Sequence, residues 1–127
     1  MKTIIKTKQA AAPIGPYNQA VMINGFLYTS GQIALHPETG GTQFDTIEKE
    51  TERVMTSLQA ILEEAKLDFS HVIKTSIFIS DMDNFSRINK IYGSYFDENT
   101  APARETVEVA RLPKDANVEI SLIAFQG

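Results

Sequence analysis

The sequence predicts an α+β fold, with two helices on one face of a six-stranded mixed sheet. Three observations carry that prediction. Short alternating or β-branched runs lie near both ends of the chain, two stretches of helical periodicity interrupt them, and the order reads β-β-β-α-β-α-β-β. At 127 residues the chain is read as one domain, 1–127. No repeat, linker or low-complexity segment divides it.

Thr3-Ile4-Ile5 is a short apolar run, suited to an edge strand. The loop from Gln9 to Tyr17 ends in Pro13-Ile14-Gly15-Pro16-Tyr17, where two prolines around a glycine stiffen the backbone. Tyr17 then either packs this loop down or is presented to a site. Ala20 to Ile23 and Phe26 to Ser30 flank Asn24-Gly25, a strong signal for a type I′ hairpin, whose turn needs positive φ at both central positions. The second strand runs out at Ser30-Gly31-Gln32. Here the glycine allows a close approach or an unusual φ.

Thr46 to Lys66 is the first helix. Ile47, Val54, Met55, Leu58, Ile61, Leu62 and Ala65 recur at helical spacing, and Asp45 followed by Glu48 suggests its start. Val72 to Ser80 is a strand, with Ile73, Thr75, Ile77 and Ile79 on one face. Asp81-Met82-Asp83 caps a second helix, about Asn84 to Asp97. Asn89 lies among its apolar residues, placed to satisfy a backbone group or to touch a ligand.

Pro102 to Pro113 encloses the alternating strand Thr106-Val107-Glu108-Val109. Alternation puts Arg104, Thr106 and Glu108 on one face, and Glu105, Val107 and Val109 on the other. Arg104 stands where this strand leaves a loop, either as an ordinary surface arginine or aimed at a ligand. Asn117 to Phe125 closes the sheet. Val118, Ile120, Leu122 and Ala124 form its apolar face, and Glu119, Ser121, Ile123 and Phe125 the other. A carboxylate on a partly apolar face needs a partner or a raised pKa. Arg104, on the preceding strand, is one candidate partner for Glu119. With both helices on one face, the other face still carries Val, Ile and Phe, and a second copy of the chain is the simplest cover for it.

Composition excludes several functions. Hydrophobic residues make up 43% and charged residues 22%, which argues against disorder. Absence of cysteine removes disulfides, zinc–thiolate sites and thiol nucleophiles, and fits a reducing, cytoplasmic compartment. No segment reads as a secretory signal or a membrane span. The net charge of −4, with the basic residues scattered among acids, disfavours nucleic-acid binding. His36 and His71 lie apart and make no metal-ligand spacing. There is no phosphate-binding glycine loop, and Ser30 is not in a nucleophile elbow. What remains is an arginine, an acid, a tyrosine on a stiff loop and a Ser-Gly at a strand end. This set suits a small carboxylate-bearing ligand and a positioned water.

Four segments carry a family resemblance. They are Gly15-Pro16-Tyr17, Thr29-Ser30-Gly31-Gln32-Ile33, Pro102-Ala103-Arg104 and Val107-Glu108-Val109-Ala110-Arg111-Leu112-Pro113. In order, and over nearly the whole chain, they resemble the Rid family, also written YjgF/YER057c/UK114, and within it the RidA subgroup. The resemblance implies a chorismate-mutase-like fold in a homotrimer, with sheets packed inward and sites between subunits. It implies 2-iminobutanoate/2-iminopropanoate deaminase activity with no cofactor and no metal. Such imines arise when PLP-dependent dehydratases act on threonine or serine. On that pattern Arg104 binds the substrate carboxylate and Glu119 orients or activates water, while Tyr17, Ser30, Gly31, Asn89 and Thr106 line the cleft. A 2-oxo-acid-binding regulatory protein and an endoribonuclease are the competing readings. Three positions depart from the pattern: Glu105 replaces a common serine, Thr106 a common cysteine, and Lys66 a common helix-ending glycine.

Overall fold

Asn24 and Gly25 have φ of 50° and 83°, the two positive values a type I′ turn requires. They join β2 (Ala20–Ile23) to β3 (Phe26–Thr29), and β1 (Thr3–Ile5) pairs along the outer edge of β2. The computed structural model describes residues Met1–Gly127. The remaining elements are α1 (Ile47–Glu64), β4 (Val72–Ile79), α2 (Phe85–Gly93), β5 (Ala103–Glu108) and β6 (Val118–Phe125). One six-stranded sheet runs β1-β2-β3-β6-β4-β5. Only β4 and β5 are parallel. Parallel neighbours need a crossover, and α2 supplies it. The α+β class and the element order are as the sequence predicts.

Both helices cover the same sheet face. Val54, Leu58, Ile61 and Leu62 of α1 and Ile88 of α2 are buried against Leu27, Ile77, Ile120 and Leu122. Each such side chain contributes roughly 1.5–3 kcal/mol. Arg87 of α2 grips Glu48 of α1 through two 2.7 Å hydrogen bonds, and that contact holds the Glu48 carboxyl down at about 2. The opposite sheet face has no helix. Ile4, Ile23, Tyr28, Val107 and Phe125 are all exposed there. No helix is long and apolar enough to cross a membrane.

Four sequence expectations need correction. Thr46, not Asp45, caps α1: its backbone is extended and its hydroxyl accepts from the Lys49 amide at 3.1 Å. The second helix ends at Gly93 rather than Asp97, although Tyr95 and Phe96 still pack their rings around Phe69. A bulge between Val72 and Lys74 turns Val72 into the core and leaves Ile73 exposed. Most consequential, β4 lies between β5 and β6, so the strand of Arg104 is not a neighbour of the strand of Glu119.

The end of α1 bears out one departure. Lys66 has φ of 64°, with its amide bonded to the Glu63 carbonyl and the Leu67 amide to the Leu62 carbonyl. That is a Schellman motif with lysine where glycine is preferred. Lys66→Gly is expected to stabilise the protein by about 1 kcal/mol, read as a higher denaturant midpoint at unchanged slope.

Candidate functional site

Arg104 is the second residue of β5, pairing with Thr75 of β4. It projects toward the helices. Its guanidinium lies over the rings of Phe85 and Tyr92, 5.6 and 5.1 Å from their centres, and Nη1 donates to Asn89 Oδ1 at 2.6 Å. Three α2 side chains one turn apart thus hold it on two sides. Tyr92 forms a buried floor, its hydroxyl 2.7 Å from Thr75 Oγ1, and burial raises its pKa. Arg87 and Arg111 are each paired with a carboxylate, but Arg104 is not. The cleft beside it, about 650 Å³, is closed by Phe96, Glu98, Ala101 and Pro102. Asn89 is exposed and serves this arginine, rather than satisfying a buried backbone group.

The β5 edge adds donors. Val109 N–H bonds the Ile79 carbonyl, so alternation along the parallel ladder turns the amides of Arg104, Thr106 and Glu108 toward the free edge. The Thr106 hydroxyl is buried with no hydrogen-bond partner.

Glu119 lies opposite Phe78 in β6, on the face without helices. It is half-buried and makes no hydrogen bond or ion pair, and burial raises its pKa. Its side chain rests on Gly31. A Cβ built at that glycine would lie 2.7 Å from Glu119 Cδ and 3.0 Å from Cγ. Close approach therefore explains Gly31, with no positive φ involved. Tyr17, Gly31, Pro113, Lys114 and Glu119 line a second cleft of about 370 Å³. The Tyr17 hydroxyl is 3.4 Å from the Ile14 amide, and the ring remains half-exposed. Ser30 lines the neighbouring groove with Tyr17, and its hydroxyl is committed to the Asn18 carbonyl at 2.5 Å.

The sequence-derived residues therefore fall into two groups. Arg104, Asn89 and Thr106 lie together on the helix side. Tyr17, Ser30, Gly31 and Glu119 gather around the opposite end of β3 and β6. Within one chain Arg104 and Glu119 project from opposite sheet faces, so Arg104 is not the partner of Glu119 there, and the other alternative, a raised carboxyl pKa, holds.

The family model described as Endoribonuclease L-PSP matches residues 7–126. The chain belongs to this family. Within it, a RutC family protein of Synechocystis, slr0709, is 54% identical over 122 residues, covering 95% of this chain and 94% of that protein. A mouse protein named 2-iminobutanoate/2-iminopropanoate deaminase is 39% identical over 127 residues, covering 100% and 93%. The crystal structure of the Rid family protein YyfA from Yersinia pestis superposes with a TM-score of 0.95 at 46% identity, covering 98% and 99%. Membership in the Rid group of L-PSP proteins and the fold expected from it are thus shown.

Two features of this L-PSP chain escaped the sequence reading. Phe85 and Tyr92 read as ordinary core stripe residues, yet their rings also aim Arg104. Lys114 is not among the candidate site residues, yet it lines the Glu119 cleft in a left-handed conformation with φ of 55°. Only the Leu-Pro-Lys-Asp turn hints at that geometry.

Proposed function

We propose that the protein hydrolyses 2-imino acids such as 2-iminobutanoate and 2-iminopropanoate to 2-oxo acids and ammonia. The site combines the Arg104 half of one subunit with the Glu119 half of its neighbour in a homotrimer. One observation carries this reading: Arg104 and Glu119 each line a cleft, neither forms an ion pair within the chain although Glu98 and Lys114 stand on the same cleft walls, and the two project from opposite sheet faces, so that only a second subunit can bring them together. The apolar face beside Glu119 gives subunits a surface on which to associate.

The chemistry follows from the groups. The Arg104 fork takes the substrate carboxylate. Glu119 accepts a proton from water as its oxygen bonds to the carbon of the protonated imine, whose nitrogen takes the C=N electron pair and becomes an amine. Glu119 then returns the proton to that nitrogen as the C–N bond breaks, and the hydroxyl passes its own proton to the departing ammonia as the carbonyl forms. Ammonia leaves and the carboxylate is regenerated. The 39% identity to the mouse deaminase supports this substrate class.

A 2-oxo-acid sensor would need only the Arg104 half and would leave the imine to decay at its uncatalysed rate. Ribonuclease chemistry has less support. Both imidazoles are tied into turns, His36 Nδ1 accepting from the Glu38 amide and His71 Nδ1 from the Asp68 amide.

The test couples a threonine dehydratase to this protein and follows imine loss. Arg104→Ala and Glu119→Gln should each be slow alone. Refolded together at equal ratio, they should recover about a quarter of the sites, because a shared site can draw both intact residues from different chains. No acceleration by wild type would refute the deaminase. Slow variants with no recovery on mixing would place both residues in one chain's site.

A further inference from the structure

Glu50 is the one fully buried carboxylate, on α1 beneath the sheet. A charge so placed needs partners. Asn117 supplies both: its backbone N–H donates to Glu50 Oε2 at 2.7 Å and its Nδ2 to Oε1 at 2.8 Å. Asn117 stands one residue before β6. Its carbonyl accepts from the Ser80 amide at 3.1 Å, and its Oδ1 from the Ser80 hydroxyl at 3.4 Å, at the end of β4.

Glu119 is two residues further on. Beyond it, Ile120 exchanges both backbone hydrogen bonds with Gln32, at 2.8 and 3.1 Å, and Gln32 directly follows Gly31. The strand segment bearing Glu119 is therefore anchored on both sides. The Gln32 bridge fixes it against the glycine its side chain rests on, and the Glu50 clamp fixes where β6 begins.

We propose that Glu50 is a positioning residue for Glu119, holding the start of β6 through Asn117 so that the Glu119 carboxylate meets the reacting water. The inference rests on the reading of Glu119 as the group that handles water. Leucine in place of Glu50 would fill a similar volume, but the amide and carboxamide of Asn117 would lose their acceptors. The strand start would then be free to shift. Misplacing a reacting group by about 1 Å costs on the order of 10²-fold, so a small shift is enough.

Steady-state imine hydrolysis by the assembled protein tests this. Glu50→Ala should lower kcat about tenfold with KM within about twofold, the pattern of an interaction felt only in the transition state. Asn117→Ala removes the other partner and should do the same, so the test survives if Glu50→Ala does not fold. Glu50→Gln should stay within about twofold of wild-type kcat, because a turned Asn117 carboxamide restores the second hydrogen bond and Ser80 Oγ can accept from its other side.

In a Glu119→Gln background the Glu50 and Asn117 substitutions should cost nothing more. An equal loss in both backgrounds, or a rise in KM alone, would reduce Glu50 to a fold-holding role and leave the reading of Glu119 standing. Wild-type turnover by Glu119→Gln alone would overturn that reading, and this inference with it.

Discussion

Arg104→Ala is expected to weaken 2-oxobutanoate binding by about 30-fold or more. Losing one member of a desolvated charge pair costs roughly 2–5 kcal/mol, and about 1.4 kcal/mol is tenfold in affinity. Geometry favours an effect of this size. The guanidinium has no carboxylate within the chain, stacks over Phe85 and Tyr92, and is fixed by Asn89 at 2.6 Å. A preorganised fork loses little entropy when an anion arrives. Arg104→Lys should recover only part, because an ammonium keeps the charge and gives up the bidentate geometry. Melting curves should move little, since Arg104 is exposed and a cation–π contact made by an exposed cation contributes only about 0.5–1 kcal/mol. Calorimetric titration of wild type and both variants decides the matter. Equal affinity in all three, with assembly intact, would place the carboxylate site elsewhere.

What the sequence could and could not reveal divides along a physical line. Local chemistry was legible. Asn24-Gly25 specifies its turn because few residue pairs tolerate two positive φ values. The alternation of β6 separates Val118 and Ile120 from Glu119 because side chains change face at every residue. Long-range order was not legible in the same way. Nothing in the sequences of β5 and β6 says that β4 inserts between them. Consecutive strands often pair, and that tendency made Arg104 look like a partner for Glu119. Here β6 instead takes a central position between β3 and β4, which needs a partner on each of its edges. The Ile73 error has a similar origin. A single bulged residue reverses the inside–outside pattern of what precedes it, and no residue type at Val72 or Ile73 announces the bulge. Arg104 was legible as a site residue through its motif. Its aromatic support was not, since a ring that packs a core and a ring that also aims a cation look alike in sequence.

Gly31→Ala is expected to fold normally and to lose about 10- to 100-fold in turnover, with substrate affinity nearly unchanged. The added methyl group would sit 2.7 Å from Glu119 Cδ and 3.0 Å from Cγ. The backbone at Gly31 needs no left-handed φ, and the crowded atoms belong to a side chain that can swing away. Glu119 therefore yields, and the fold does not. Glu119→Gln should reach a similar loss by removing the proton acceptor, a group whose contribution is roughly 10²–10⁴-fold. The fall should sit at the lower end because such imines hydrolyse readily without help. The two variants should part in stability. Burial raises the Glu119 pKa by penalising the charged form. A raised carboxyl stabilises the fold most below its unfolded value, and that stability is lost as pH rises through the folded one. At neutral pH the ionised side chain thus works against folding, so Glu119→Gln should melt higher than wild type, by a margin that shrinks as pH falls. Gly31→Ala keeps the carboxylate and swings it toward solvent, so its melting temperature should depend less steeply on pH than wild type. Kinetics and melting curves from pH 4 to 8 measure both effects. Wild-type turnover in Gly31→Ala would mean that the resting place of Glu119 has no bearing on catalysis, and Glu119→Gln melting no higher than wild type would remove the burial penalty as an explanation.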